Sequence, residues 1–127
     1  MRKVVPLLLL LGCGTIDHPG DPCVGGAECD SPTSALFCQH APGGTAGEFA
    51  RFACPGAKGC TSTGGQTLCD FSGVSAGDPC PASQDTLAVC KAGAQPPQFL
   101  QCLDGGWQGR NCSSCTTDAN STVICNP

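Results

Sequence analysis

Gly20-Asp21-Pro22-Cys23 returns as Gly77-Asp78-Pro79-Cys80, and each copy opens a stretch of roughly fifty residues that holds six cysteines. The first set is Cys23, Cys29, Cys38, Cys54, Cys60 and Cys69; the second is Cys80, Cys90, Cys102, Cys112, Cys115 and Cys125. Even counts favour bridges inside each stretch. The chain therefore divides into module 1 at 20–71, a linker at 72–76 and module 2 at 77–127, two tandem repeats of one small fold. Other landmarks extend the match. Ala35-Leu36-Phe37-Cys38 corresponds to Leu87-Ala88-Val89-Cys90, Arg51-Phe52-Ala53-Cys54 to Phe99-Leu100-Gln101-Cys102, and Thr67-Leu68-Cys69 to Val123-Ile124-Cys125. On this matching Cys29 has no counterpart, while Cys112 and Cys115 together face Cys60. One bridge is then rewired, or one crosses between modules. Six cysteines permit 15 pairings, and their spacing selects none of them.

Composition explains why bridges are needed. Thirteen cysteines among 127 residues, with five Phe, one Trp and no Tyr, leave little apolar volume for a core. Modules of this size rely on cross-links, and one closing about fifteen residues contributes roughly 3 kcal/mol by restricting the unfolded chain. So many cysteines call for an oxidising compartment, and hence for export.

The fold class expected is small, disulfide-rich and mainly β, built from short hairpins and loops with little or no helix. No window shows helical periodicity. Residues 35–39 and 48–54 flank a Pro-Gly-Gly loop, and residues 86–91 and 98–103 flank Gln95-Pro96-Pro97, so each pair reads as a hairpin with a long tip. A smaller hairpin turns at Gly64-Gly65, between Thr61-Ser62 and Thr67-Leu68. Phe52 and Leu100, each two residues before a cysteine, are the expected contacts beneath the bridges.

Chemistry-bearing patterns are few. Cys112-Ser-Ser-Cys115 has the spacing of a redox dithiol or half a zinc site, but it lacks both the βαβ context and a second C-x-x-C. It reads as part of two structural bridges. His18 and His40 have no second histidine at ligand spacing, so neither metal nor cofactor is expected. No nucleophile elbow or triad is present, and the chain is read as a non-enzyme. A carboxylate pair drawn from Glu48, Asp70, Asp85 and Asp104 would require convergence in space. Trp107, within Asp104-Gly-Gly-Trp-Gln-Gly, is the candidate recognition residue: a glycine-rich loop could present its ring to sugar or protein. The alternative places the ring over the Cys102–Cys112 loop as local core.

The start of the chain has a separate logic. Met1-Arg2-Lys3 is basic and residues 4–11 are apolar, so residues 1–12 read as a signal peptide, too short to span a bilayer. Leu10-Leu11-Gly12-Cys13 resembles the lipobox of bacterial lipoproteins. That resemblance implies cleavage before Cys13, acyl chains on its thiol and new amine, and a tether over 13–19. Removing Cys13 from the set leaves twelve cysteines, all of which can pair. Buried acyl chains contribute about 0.8 kcal/mol per CH₂, so two or three anchor stably where one does not. Gly14, where Asp would signal inner-membrane retention, points by the same resemblance to the outer membrane.

Loss of Arg2 and Lys3 moves the formal charge from −4 to −6, without a basic run. That argues against nucleic acid and against electrostatic membrane binding. Cys54-Pro-Gly-Ala-Lys-Gly-Cys60, followed by Cys69-Asp70 and the next Gly-Asp-Pro-Cys, resembles the tandem cysteine-rich repeats of uncharacterised bacterial lipoproteins. The expected function is a lipid-anchored envelope component, structural or binding, whose partner is an envelope or extracellular protein or a glycan. The alternative is a bridged protease inhibitor or toxin-like effector presenting Gly43–Gly47 or Gln95–Gln98.

Overall fold

The computed structural model describes residues 17–40, 43–44 and 46–127. The expected signal peptide and the lipidated Cys13 lie outside the described residues. Eleven short strands carry the fold, with one 3-10 turn at Ala82–Gln84 and no α-helix among the described residues. The mainly β, disulfide-rich expectation holds.

In the first half the strands are β1 Pro22–Cys23, β2 Ala27–Ser31, β3 Ser34–His40, β4 Gly47–Ala53, β5 Cys60–Thr63 and β6 Gln66–Cys69. Four make an antiparallel sheet in the order β1-β4-β3-β2, and β5 pairs with β6 as a separate hairpin. The second half contains β7 Ala88–Cys90, β8 Gln98–Leu103, β9 Gly106–Asn111, β10 Ser114–Thr117 and β11 Val123–Asn126. Here the sheet runs β7-β8-β9, Pro79 forms an isolated bridge to Gly106, and β10 pairs with β11.

Turn chemistry sets these hairpins. Gly64 and Gly65 between β5 and β6 have φ of 58° and 81°, and Asp104 and Gly105 between β8 and β9 have φ of 51° and 81°. Two successive positive-φ residues are what a primed two-residue hairpin turn requires, and Asp-Gly and Gly-Gly supply them. The Asp104-Gly-Gly segment is thus no flexible loop but the tight end of a ladder in which Cys102 opposes Trp107.

Six bridges close the structure: Cys23–Cys38, Cys29–Cys60, Cys54–Cys69, Cys80–Cys102, Cys90–Cys115 and Cys112–Cys125. None joins the halves, and in each half the first cysteine bonds the third, the second the fifth and the fourth the sixth. This corrects the matching drawn from flanking residues. Cys38 corresponds to Cys102 and Cys29 to Cys90, so no bridge is rewired and none crosses.

Backbone hydrogen bonds follow the same correspondence. Gly20 N–H donates to Phe49 O and Gly77 N–H to Trp107 O, both at 2.8 Å; Phe49 N–H returns to Asp21 O and Trp107 N–H to Asp78 O, both at 2.9 Å. His18 N–H and Ser75 N–H each donate to the Asp carboxylate three residues on, at 2.8 and 2.9 Å.

One apolar core spans both halves. Ala35, Phe37 and Phe52 come from β3 and β4, Leu100, Cys102 and Trp107 from β8 and β9, and Phe71 with Val74 lies between them. Phe71 sits 6.0 Å from Phe37 and 5.3 Å from Trp107, centroid to centroid. Phe52 and Leu100 are buried as expected. The 72–76 segment, expected as a linker, is instead part of the packing. Val74 is 4% exposed, its carbonyl accepts from Lys91 Nζ at 2.7 Å, and Ser72 O accepts from Ala92 N–H at 2.8 Å. With so few large side chains, the chain spends the apolar residues of the connector on the core.

Phe71→Ala opens a hole between the halves, and truncation of a buried Phe costs about 3–5 kcal/mol. Denaturant unfolding followed by the single tryptophan should show that loss together with a red-shifted native emission. Unchanged stability and emission would mean that Phe71 is not what joins the halves.

Candidate functional site

Trp107 does not serve as an exposed recognition residue. Only 1% of it is accessible, β9 aims its ring inward against Phe71, and its Nε1–H is buried without a hydrogen-bond partner. The correction follows from register: residues opposite Cys102 share its inward face. The ring is a core residue, but it packs against Phe71 in the core shared by both halves rather than as a local cover of the Cys102–Cys112 loop.

Cys112 and Cys115 are likewise spoken for. Cys112 bonds Cys125 and Cys115 bonds Cys90, so the C-x-x-C is divided between two bridges rather than forming one dithiol. Among the described residues, no group of three His, Cys, Asp or Glu side chains is placed to hold a metal ion. His18 lies 3.6 Å from the Asp21 carboxylate in an exposed turn. His40 ends β3, with Nε2 3.1 Å from Val24 O and 3.5 Å from Cys38 Sγ, a disulfide sulfur.

The carboxylates separate into local roles. Asp70, just after β6, accepts from Lys58 N–H at 3.0 Å, Ser72 N–H at 3.0 Å and the Ser72 hydroxyl at 2.7 Å. Burial pushes its pKa up, but those donors and the Lys58 charge outweigh burial and hold it below the ordinary value. Asp85 accepts from the backbone N–H of Asp104 at 3.2 Å, which ties the 3-10 turn to the β8–β9 turn. Glu48 pairs opposite Pro22 at the sheet edge.

The acidic group that does assemble is one that sequence spacing does not announce. Asp30 accepts from the Ser34 hydroxyl and from Arg51 Nε, the latter at 2.6 Å. Burial raises its pKa, yet the Ser34 and Arg51 hydrogen bonds and the Arg51 charge bring it below the ordinary value. Glu28 accepts from Asp17 N–H at 3.2 Å, and its pKa is raised by burial and by the Asp17 and Asp30 charges. Asp30 and Arg51 are twenty-one residues apart and meet only through the β2-β3-β4 register.

Between the halves lies a cavity of about 510 Å³, bordered by Gly26, Phe37, His40 and Thr67 on one side and by Ala82 and Ser83 on the other. Among the described residues, its walls carry an imidazole, hydroxyls and the Gln84 amide and no carboxylate or ammonium group. That lining suits hydrogen bonding to a neutral polar group. On the outer face of β8–β9, Arg110 stacks 4.7 Å over the Phe99 ring. Of the two candidate inhibitory loops, Gly43–Gly47 contains Thr45, which lies outside the described residues, and Gln95–Gln98 ends at the start of β8.

The pKa directions set the pH response. Asp70 and Asp30 have lowered folded pKa values, so the stability they contribute is present above the ordinary aspartate value and is lost as pH falls through the folded one, from about pH 4 downward. Glu28 has the opposite sign: its contribution is held when it is protonated and is lost as pH rises through its raised value. Asp70→Asn should lower Tm at pH 7, with the difference closing in acid, whereas Glu28→Gln should leave Tm at pH 7 equal or higher. A pH-independent Asp70→Asn difference would contradict the carboxylate account.

No family model, no characterised protein and no solved structure matches this chain.

Proposed function

We propose that this is a lipid-anchored envelope protein, tethered at Cys13 to the bacterial outer membrane, that acts as a non-enzymatic structural or binding component. The observation that carries the proposal is the use of the cysteines. All twelve among the described residues are committed to six bridges, and the thirteenth is Cys13, at the end of the basic and apolar leader. The bridges themselves mark an exported protein of an oxidising compartment.

The tether leaves little freedom. Asp17 N–H is bonded to Glu28, so an acylated Cys13 lies four residues from a fixed point, at most about 14 Å of extended chain. The first half then rests close to the bilayer. We read the halves as copies of one module, on the strength of their shared bridge order and of the Gly20–Phe49 and Gly77–Trp107 hydrogen bonds. A pair of modules sharing one core, with a cavity at their junction lined by hydroxyls, an amide and an imidazole, fits a binding component whose partner is an envelope glycan or a protein surface.

Intact mass of protein taken from its native membrane should show loss of residues 1–12, acyl mass on Cys13 and twelve alkylation sites that appear only after reduction. Cys13→Ser should move the protein from the membrane fraction to the soluble fraction with its bridges unchanged. An unacylated wild-type chain, or a Cys13→Ser protein that stays on the membrane, would remove the lipid anchor from the proposal.

A further inference from the structure

The β5–β6 register sets Cys60 directly opposite Cys69, and the β10–β11 register sets Cys115 directly opposite Cys125. Both are non-hydrogen-bonded sites. Asp70 N–H donates to Gly59 O at 2.8 Å beside the first pair, and Asp118 N–H to Thr122 O at 2.9 Å fixes the alternation that reaches the second. At such sites facing Cα atoms lie about 4.5 Å apart with side chains on one face, inside the roughly 4.4–6.8 Å range of disulfides. Neither facing pair is bonded. Cys60 goes to Cys29 and Cys69 to Cys54; Cys115 goes to Cys90 and Cys125 to Cys112. Two cystines therefore meet side by side across each hairpin.

We infer that each half is a redox-sensitive exchange unit in which two-electron reduction by a dithiol bonds the hairpin cysteines to each other. The thiols then appear at Cys29 and Cys54 in the first half, or at Cys90 and Cys112 in the second. A dithiol thiolate attacks Cys29 Sγ, forms a mixed disulfide and displaces Cys60 as thiolate. The reagent's second thiol closes on the first, leaves as the cyclic disulfide and frees Cys29, which takes a proton. Cys60 attacks Cys69 Sγ across the ladder, the Cys60–Cys69 bond forms, and Cys54 departs and takes the second proton. The dithiol has lost two electrons and two protons, and the protein has gained both.

Access and loop length favour this course. Each of these two first-half bridges offers one half-buried sulfur, Cys29 or Cys69, while Cys54 and Cys60 are buried. Attack at Cys69 instead displaces Cys54, and the Cys69 thiolate then released attacks Cys60 and displaces Cys29, so either entry ends in the same Cys60–Cys69 bond. Cys60–Cys69 closes a shorter loop than the bridges it replaces, whose sequence separations are 31 and 15, and the ladder already aligns it. In the second half Cys90, Cys115 and Cys125 are half-buried and only Cys112 is buried, so both bridges can be entered there as well. One reduction in the first half thus cuts both covalent ties of the β5–β6 hairpin, to β2 and to the end of β4, and leaves it held by hydrogen bonds such as Cys60 N–H to Pro32 O at 2.8 Å and the Thr67 hydroxyl to Ala27 O at 2.9 Å.

The test uses the full chain under native conditions, with less than one equivalent of dithiothreitol, acid quench, alkylation and unreduced peptide mapping. Most two-thiol molecules should be labelled at Cys29 with Cys54 or at Cys90 with Cys112, with Cys60–Cys69 or Cys115–Cys125 cross-linked. Label mainly on a natively bonded pair, such as Cys29 with Cys60, would overturn the inference. A Cys29→Ser, Cys54→Ser double variant should show no reactive thiol and a Cys60–Cys69 link; two titratable thiols at Cys60 and Cys69 would likewise overturn it.

Discussion

Covalent cross-linking is the constraint on which this structure depends. Strands as short as Pro22–Cys23 and Ala88–Cys90 cannot hold themselves together by ladder hydrogen bonds, and a bare two-strand hairpin such as β5–β6 is marginal in water. The bridges alter that balance in the unfolded state, by restricting the conformations the chain surrenders on folding. Their order matters as much as their number. The second bridge of each half begins inside the loop of the first, and the third begins inside the loop of the second, so sheet and hairpin are fastened as one body rather than as separately closed rings.

What the bridges do not do is join the halves. That task falls to Phe71, held between Phe37 and Trp107, and to Val74 beside it. The division is economical for a chain with one tryptophan and five phenylalanines. Cystines occupy the interior of each half, and four of the six aromatic side chains, Phe37, Phe52, Phe71 and Trp107, gather in the shared core. The buried Trp107 Nε1–H is a cost accepted there, since an unpaired buried donor forgoes the hydrogen bond water would supply.

The hairpins β3–β4, β5–β6 and β7–β8 are legible in sequence because glycine and proline punctuate runs of β-forming residues. β2 is not, since Ala-Glu-Cys-Asp-Ser carries no alternation and all five residues are half-buried. β9 is a different failure. Its Asp104-Gly105 turn is a strong local signal, but the glycines around Trp107 read more readily as a flexible loop, which leaves an exposed ring and a core ring both open. The cysteine correspondence goes astray for a related reason. Flanking apolar residues pair Cys38 with Cys90, whereas strand order and bonding pair it with Cys102, because the segment before the second cysteine is longer in the second half. The Glu28, Asp30 and Arg51 group is invisible along the chain, as its members are brought together only by strand pairing.

The overlap of the bridges also determines which peptide bonds hold the molecule in one piece. Every residue from Cys23 to Cys69 lies within at least one disulfide loop, as does every residue from Cys80 to Cys125. A protease cutting once in either region leaves both fragments attached. Between Cys23 and Cys125, only residues 70–79 are spanned by no bridge. There Phe71 and Val74 are buried, and the exposed Ser75–Asp78 turn is tied by its own carboxylate and by Trp107 O. The one stretch where a single cut would part the halves is thus guarded by packing instead of by sulfur.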